Sequence, residues 1–330
     1  MKKVVKKILP KKWVIKYREI REHNRVKKEF LQDARAYNQS TNFNLVGSSD
    51  KGVMELLIFH SHALEKGLSH PNFRPNFGKN ALFGLKNNLD EYEKLGLSKD
   101  NFAYINAISV LKSYKSKHNV REVETPFFDS LFNGYDIEDG SEIAGAEEYI
   151  NQDTTSMNFS ELEYYRTTQR QFLNKPVQLD DFKKVVDLAL KTPSVCNRQP
   201  WKVYVTNNPG KISSLLDLQK GYKGYGIPPT LSLVTVDRKA FIGSFERNEA
   251  YIDGGLFLMN FDFALTYHGL ASCILNSMLP NEQQQKIRDI MDISSSEVLI
   301  AFVAAGYPLK RTLTAMSARK PVKDILKVVD

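Results

Sequence analysis

Apolar residues recur at helical spacing through the first part of the chain, and the pattern changes to alternating helices and strands in the second. From 50 to about 68, Val53, Met54, Leu57, Ile58 and Leu64 share one helical face, with Gly67 placed to end the helix. Leu82, Leu85, Leu89 and Tyr92 predict a helix over 81–95, and another is expected over 101–117. Residues 133–160, with Asn133-Gly134, Asp139-Gly140 and many acidic side chains, offer little that could form a core and read as a connector. Beyond them, Ser160 and Glu163 have capping-box spacing, and Asp180 stands ready to cap a helix burying Phe182, Val185, Val186, Ala189 and Leu190. Strands are expected over 202–206, 231–236 and 298–303, with a helix opening near Pro209 between the first two and a last helix opening at Pro321. The pattern implies an α+β fold in which a mixed sheet is wrapped by helices, preceded by a mainly helical region. Its expected parts are a basic amphipathic arm (1–28), a helical region (29–132), the connector (133–160) and the α+β domain (161–330).

Charge changes the picture at one place. Residues 1–28 hold twelve lysines and arginines against Glu19 and Glu22, so the +8 of the whole chain resides in this arm. Val4, Val5, Ile8, Leu9, Trp13, Val14, Ile15 and Tyr17 lie between those charges, a composition suited to anionic membrane surfaces or to covering the body of a subunit. No nucleic-acid motif accompanies the charge, and no nucleic-acid partner is expected. Lys and Arg interrupt any apolar run that a secretory signal would need. The apolar stretch 250–275 is broken by Asp253, Asp262 and His268, which suits a buried helix better than a membrane span. Two cysteines, Cys196 and Cys273, are too few for a disulfide framework, so a reducing, cytoplasmic setting is expected, with peripheral contact at the membrane surface through the arm as an alternative to a solvated arm or one packed on a subunit. Both are read as small buried residues rather than redox catalysts. His60, His62 and His70 are read as structural, since residues two apart on a helix face different sides, and no metal is expected. The aromatic, proline-bearing stretch 70–78 reads as an ordered loop, a lid or simple packing.

Three clusters carry chemistry. Arg166-Thr167-Thr168-Gln169-Arg170 places two guanidiniums and two hydroxyls where a phosphate and a polyol could meet them. Pro193-Ser194-Val195-Cys196-Asn197-Arg198-Gln199-Pro200-Trp201 lies between a helix and a strand, where its polar residues have no core role. Gly306-Tyr307-Pro308 is followed by Arg319 and Lys320, two cations able to close on a phosphate.

In this order the clusters resemble the nitroreductase family, whose pattern runs from Arg-x-Ser/Thr-x-Arg/Lys through Pro-Ser-x-x-Asn-x-Gln-Pro-Trp and a long helix to Gly-Leu-Gly-Ser-Cys, then Gly-Tyr-Pro and basic residues. Gly269-Leu270-Ala271-Ser272-Cys273 departs from the fourth element only at Ala271. The resemblance covers about 160–330 and leaves the N-terminal extension unassigned. It implies an FMN site: Arg166, Thr168 and Arg170, with Thr167 close by, at the phosphate and ribityl chain. Pro193, Ser194, Val195 and Asn197 would lie along the flavin, with Gln199 supporting the loop and Ala271 and Ser272 near the cofactor; Arg319 and Lys320 would hold the phosphate. It implies a homodimer with FMN at the subunit interface and a buried dimer helix over 247–268. The implied activity takes hydride from NADH or NADPH through flavin N5 to a small nitro, quinone, enone or biosynthetic acceptor, with no side-chain catalyst. Two other uses of the fold stand beside it: a flavin-dependent modifier of a membrane-linked glycan or lipid precursor, and a non-catalytic dimeric scaffold.

Overall fold

The computed structural model describes residues 10–41, 47 and 49–329. The first nine residues of the basic arm therefore lie outside the described residues. The rest of the arm belongs to α1 (Lys11–Ser40), a helix with no buried residue. Glu22 accepts from the Ser244 amide at 2.8 Å and Asp33 pairs with Arg247 at 2.7 Å, so α1 is held to the C-terminal half by polar contacts.

The helical region contains α2 (Asp50–Leu68), α3 (Lys79–Lys94), α4 (Phe102–Asn119) and α5 (Pro126–Phe132). Its apolar stripes close one core around Val53, Leu57, Leu64, Leu85, Leu89, Leu111 and Tyr114. Caps fix two of these helices: Ser49 accepts from the Gly52 amide and Asn101 from the Ala103 amide. The stretch 70–78 packs rather than hangs free. The Asn76 amide donates to His118 Nε2 at 3.0 Å, and the Phe77 ring lies 5.0 Å from that of Tyr114.

The segment expected to be a connector contributes structure. Ile137 and Ala144 are buried in the helical core, and β1 (Ala146–Ile150) pairs antiparallel with β6 (Arg311–Ala315) in a separate ribbon. Neither strand was evident in sequence, because β1 buries no residue fully and the alternate positions that β6 buries, Thr312 and Thr314, are polar, so no apolar alternation shows.

In the C-terminal half come α6 (Phe159–Tyr165), α7 (Leu179–Ala189), β2 (Trp201–Thr206), α8 (Pro209–Gln219), β3 (Thr230–Asp237), α9 (Glu249–Tyr267), β4 (Ala271–Asn276), α10 (Asn281–Met291), β5 (Glu297–Gly306), then β6 and α11 (Val322–Ile325). The sheet order is β2-β3-β5-β4. The α+β architecture is as expected, but every ladder among the described residues is antiparallel where a mixed sheet was expected. Each helix-bearing connection between neighbouring strands ends in a loop that returns the chain to the end of the sheet it left, which suits antiparallel pairing.

Alternation along the strands makes three layers. Leu231, Leu233, Leu299 and Phe302 face α8 and α10, whereas Val234, Val236, Val298 and Val303 face α7 and α9. On that second face Trp201 stacks on Phe257 at 4.9 Å. Gly254 lets α9 sit on the sheet, since a Cβ there would lie 2.6 Å from the Ile300 Cδ1. The opposite side of α9 exposes Tyr251, Ile252, Leu256 and Met259. No helix among the described residues is long and apolar enough to cross a membrane.

Candidate functional site: a guanidinium cluster and a strained loop on opposite sides of one helix

Helix α6 opens with a reciprocal capping box two residues earlier than the sequence suggested: Asn158 accepts from the Glu161 amide at 3.1 Å, and Glu161 accepts from the Asn158 amide at 2.8 Å. The helix ends at Tyr165, and the chain then runs along β4, where the Gln169 amide donates to the Ser272 carbonyl at 2.8 Å and Phe172 bridges to Pro308. Leaving the helix changes the periodicity. In extended chain, Arg166, Thr168 and Arg170 fall on one side, and the buried Gln169 turns to the other, where it pairs with the Asn151 amide at 2.8 and 2.9 Å. Thr167 and Ala271 line a cavity of about 20 Å³ on that other side, room for one water.

Arg166 is 16% exposed and its Nη1 lies 3.3 Å from Oδ2 of Asp262, a carboxylate 3% exposed on α9. The Ser272 hydroxyl donates to the same carboxylate. Burial pushes the Asp262 carboxyl above its ordinary range, while Ser272 and Arg166 pull it back. The Nε atoms of Arg166 and Arg170 are buried without a hydrogen-bond partner. A buried donor left unmade costs about 1–3 kcal/mol, more when charged, so the arrangement fits an anion that brings acceptor oxygens. A phosphate ester satisfies that donor set.

The second cluster is built on the far end of α9. Thr192 turns its hydroxyl back to the Ala189 carbonyl at 2.7 Å, closing α7 before Pro193. The Val195 amide donates to Asp253 Oδ1 at 3.1 Å, the Gln199 amide donates to Ser194 Oγ at 2.9 Å, and Gln199 Nε2 donates to Asn197 Oδ1 at 3.1 Å. Gln199 thus supports the loop. Cys196, Asn197 and Gln199 hold φ of 50°, 53° and 49°, a left-handed backbone that costs non-glycine residues energy and persists only when surroundings enforce it. Cys196 is exposed, which corrects the expectation that both cysteines are buried: the left-handed turn carries its side chain outward.

Asp253 and Asp262 are two and a half turns apart on α9, so they point to opposite sides of the helix, about 14 Å apart along its axis. Within one chain, the loop anchored by Asp253 and the Arg166 guanidinium anchored by Asp262 therefore sit on opposite sides of α9.

Residues 164–223, which contain both clusters, match the family model described as "Nitroreductase family". A stretch of 69 residues is 33% identical to a chloronitrobenzene nitroreductase of Comamonas testosteroni, covering 20% of this chain and 30% of that protein. The chain thus spans less than a third of the length of that curated relative. The match to that family model is confined to residues 164–223. Similar solved structures include a nitroreductase-like protein of Streptococcus mutans (20% identity, 50% of this chain and 95% of that chain, TM-score 0.44). An FMN-dependent nitroreductase of Clostridium difficile R20291 shares 18% identity over 44% of this chain and 85% of that chain, with a TM-score of 0.39.

Around the nitroreductase segment, the other expected residues divide. Ser272 joins the Arg166 cluster through Asp262. Arg319 and Lys320 turn towards the helical region instead: Arg319 donates to the Ser317 carbonyl and lines a cavity with Phe102 and Ile105, and Lys320 pairs with Glu55 at 2.7 Å. Sequence reasoning noted Asp253 and Asp262 only as interruptions of an apolar stretch. Two carboxylates inside an otherwise apolar helix were the signal that could have found them, since each needs a buried partner. Lys66, Tyr222 and Tyr225, which also gather at Arg170, left no local pattern.

Proposed function

We propose that this chain is an FMN-dependent oxidoreductase that takes hydride from NADH or NADPH and passes it to a small acceptor. The observation that carries the reading is the pair of guanidiniums, Arg166 and Arg170, whose buried Nε atoms lack partners in the nitroreductase segment. Bound FMN would supply the hydride chemistry. Arg166, Thr168 and Arg170 would hold its phosphate and ribityl chain. Pro193, Ser194, Val195 and Asn197 would line the ring, with the loop held in shape by Asp253 and Gln199. The separation of the two clusters by α9 favours a site shared between subunits, in which one chain's loop faces the other chain's guanidiniums. The exposed face of α9, with Gly255 opening to empty space, supports such an approach. Titration of FMN tests the phosphate role: Arg170→Met is expected to weaken FMN binding by about tenfold or more, and unchanged binding would count against it.

A second reading concerns α1. Trp13, Ile15, Tyr17 and Ile20 are exposed among its lysines and arginines, the composition of a helix that lies on anionic lipid and would bring the enzyme to a membrane-linked glycan or lipid precursor. Co-sedimentation with phosphatidylserine vesicles, lost on deletion of 1–28, is the expected result. No sedimentation of the full chain would remove this reading.

A further inference from the structure

Helix α2 ends against the guanidinium cluster. Its last turn carries Lys66, half-buried, and one loop ties it to Arg170. The Tyr225 hydroxyl donates to the Lys66 carbonyl at 2.7 Å, and the Tyr225 ring lies 5.8 Å from the Arg170 guanidinium carbon. Tyr222, buried beside it, donates to the Arg170 carbonyl. His70 locks the same loop from the end of α2, with Nε2 2.7 Å from the Gly224 carbonyl and its ring 4.8 Å from that of Tyr225.

The orientation of α2 is fixed one residue earlier. Glu65, 2% exposed, accepts from the Gly145 amide at 3.2 Å and the Ser317 amide at 3.1 Å, which ties the helix to the one end of the β1–β6 ribbon where β1 begins and β6 leaves. Lys66 is thereby delivered towards Arg170: burial and then the like charge of Arg170 hold its ammonium below the ordinary range, and the buried Cys273 thiol, neutral when protonated, lies near both. Among the described residues no carboxylate pairs with either cation, whereas Arg166 has Asp262. Two cations held together in a partly dry site repel unless an anion enters between them. A phosphate monoester, with a charge near −2, matches the two charges left over.

We propose that Lys66, supplied by the helical N-terminal region, is a ligand of the flavin phosphate together with Arg170, so that the extension completes the cofactor site. This rests on the FMN reading above. It makes α2 part of the binding machinery, and it explains why this helix is tied through Tyr225 and His70 to the loop that packs on Arg170, with Glu65 fixing its orientation.

The test compares FMN with riboflavin, which lacks the phosphate, on the full-length protein and on Lys66→Met, with melting temperature followed to verify folding. The full-length protein should prefer FMN. Lys66→Met should lose about tenfold or more of its FMN affinity, keep its riboflavin affinity, and regain FMN binding in Lys66→Arg. A Lys66→Met protein that keeps the full preference for FMN, or that loses both flavins equally, overturns the role of Lys66 and leaves the FMN reading standing. A wild-type protein with no preference for FMN over riboflavin overturns both.

Discussion

At the scale of single residues, buried charges must be matched. Asp262→Ala removes the carboxylate beside Arg166 and leaves a charge 16% exposed without its partner. Breaking a buried pair from one side costs about 3–5 kcal/mol, and partial exposure of Arg166 lowers that, so a loss of about 2–3 kcal/mol in urea unfolding is expected. Saturating FMN should recover part of the loss, because phosphate replaces the missing anion; recovery equal to that of wild type under the same ligand would argue against an anion site there. His118 gives a pH dependence with a definite sign. Burial holds its imidazole below the ordinary range, with Nδ1 donating to the Tyr114 carbonyl and Nε2 accepting from the Asn76 amide. A depressed folded pKa contributes stability above the unfolded value near 6.5 that is lost as pH falls through the folded one. Tm should drop between pH 7.5 and 5.5, and the drop should be smaller in His118→Asn. The motifs at 166–170 and 193–201 were legible because each sets its residue types over a short, unbroken span of sequence. Lys66 and Asp262 were not, because their roles depend on which loop each helix meets.

At the scale of elements, helices with one apolar face declared themselves, as α2, α3 and α7 did, and so did the apolar strands β2, β3 and β5. Strand β4 was hidden inside the Gly269-to-Cys273 motif, and β1 and β6 lack apolar alternation. Helix α7 starts from Gln178 without a side-chain cap, and the expected cap Asp180 falls in its first turn, where a carboxylate still favours the helix N-terminus. The seat of α9 on the sheet is a close one. Gly254→Ala would press a methyl group onto Ile300 and Val236 and should destabilise the fold by about 1–3 kcal/mol, read by urea unfolding. Gly255→Ala, facing open space in the single chain, should leave the fold itself nearly unchanged.

At the scale of the molecule, the fold joins the helical extension to the C-terminal half through Glu65, the β1–β6 ribbon and the 222–225 loop, and leaves an apolar face of α9 uncovered. If that face meets a second copy, Leu256→Glu should shift the protein from dimer to monomer in light-scattering measurements and weaken FMN binding in parallel, because each site would lose the other chain's loop. A monomeric variant with undiminished FMN binding would contradict a shared site. The measurement closest to the central claim is the visible spectrum of purified full-length protein, reconstituted with FMN and taken anaerobically before and after NADH or NADPH. The account expects flavin bands that stay with the protein through desalting and bleach on addition of the nicotinamide; a colourless protein after reconstitution would contradict it.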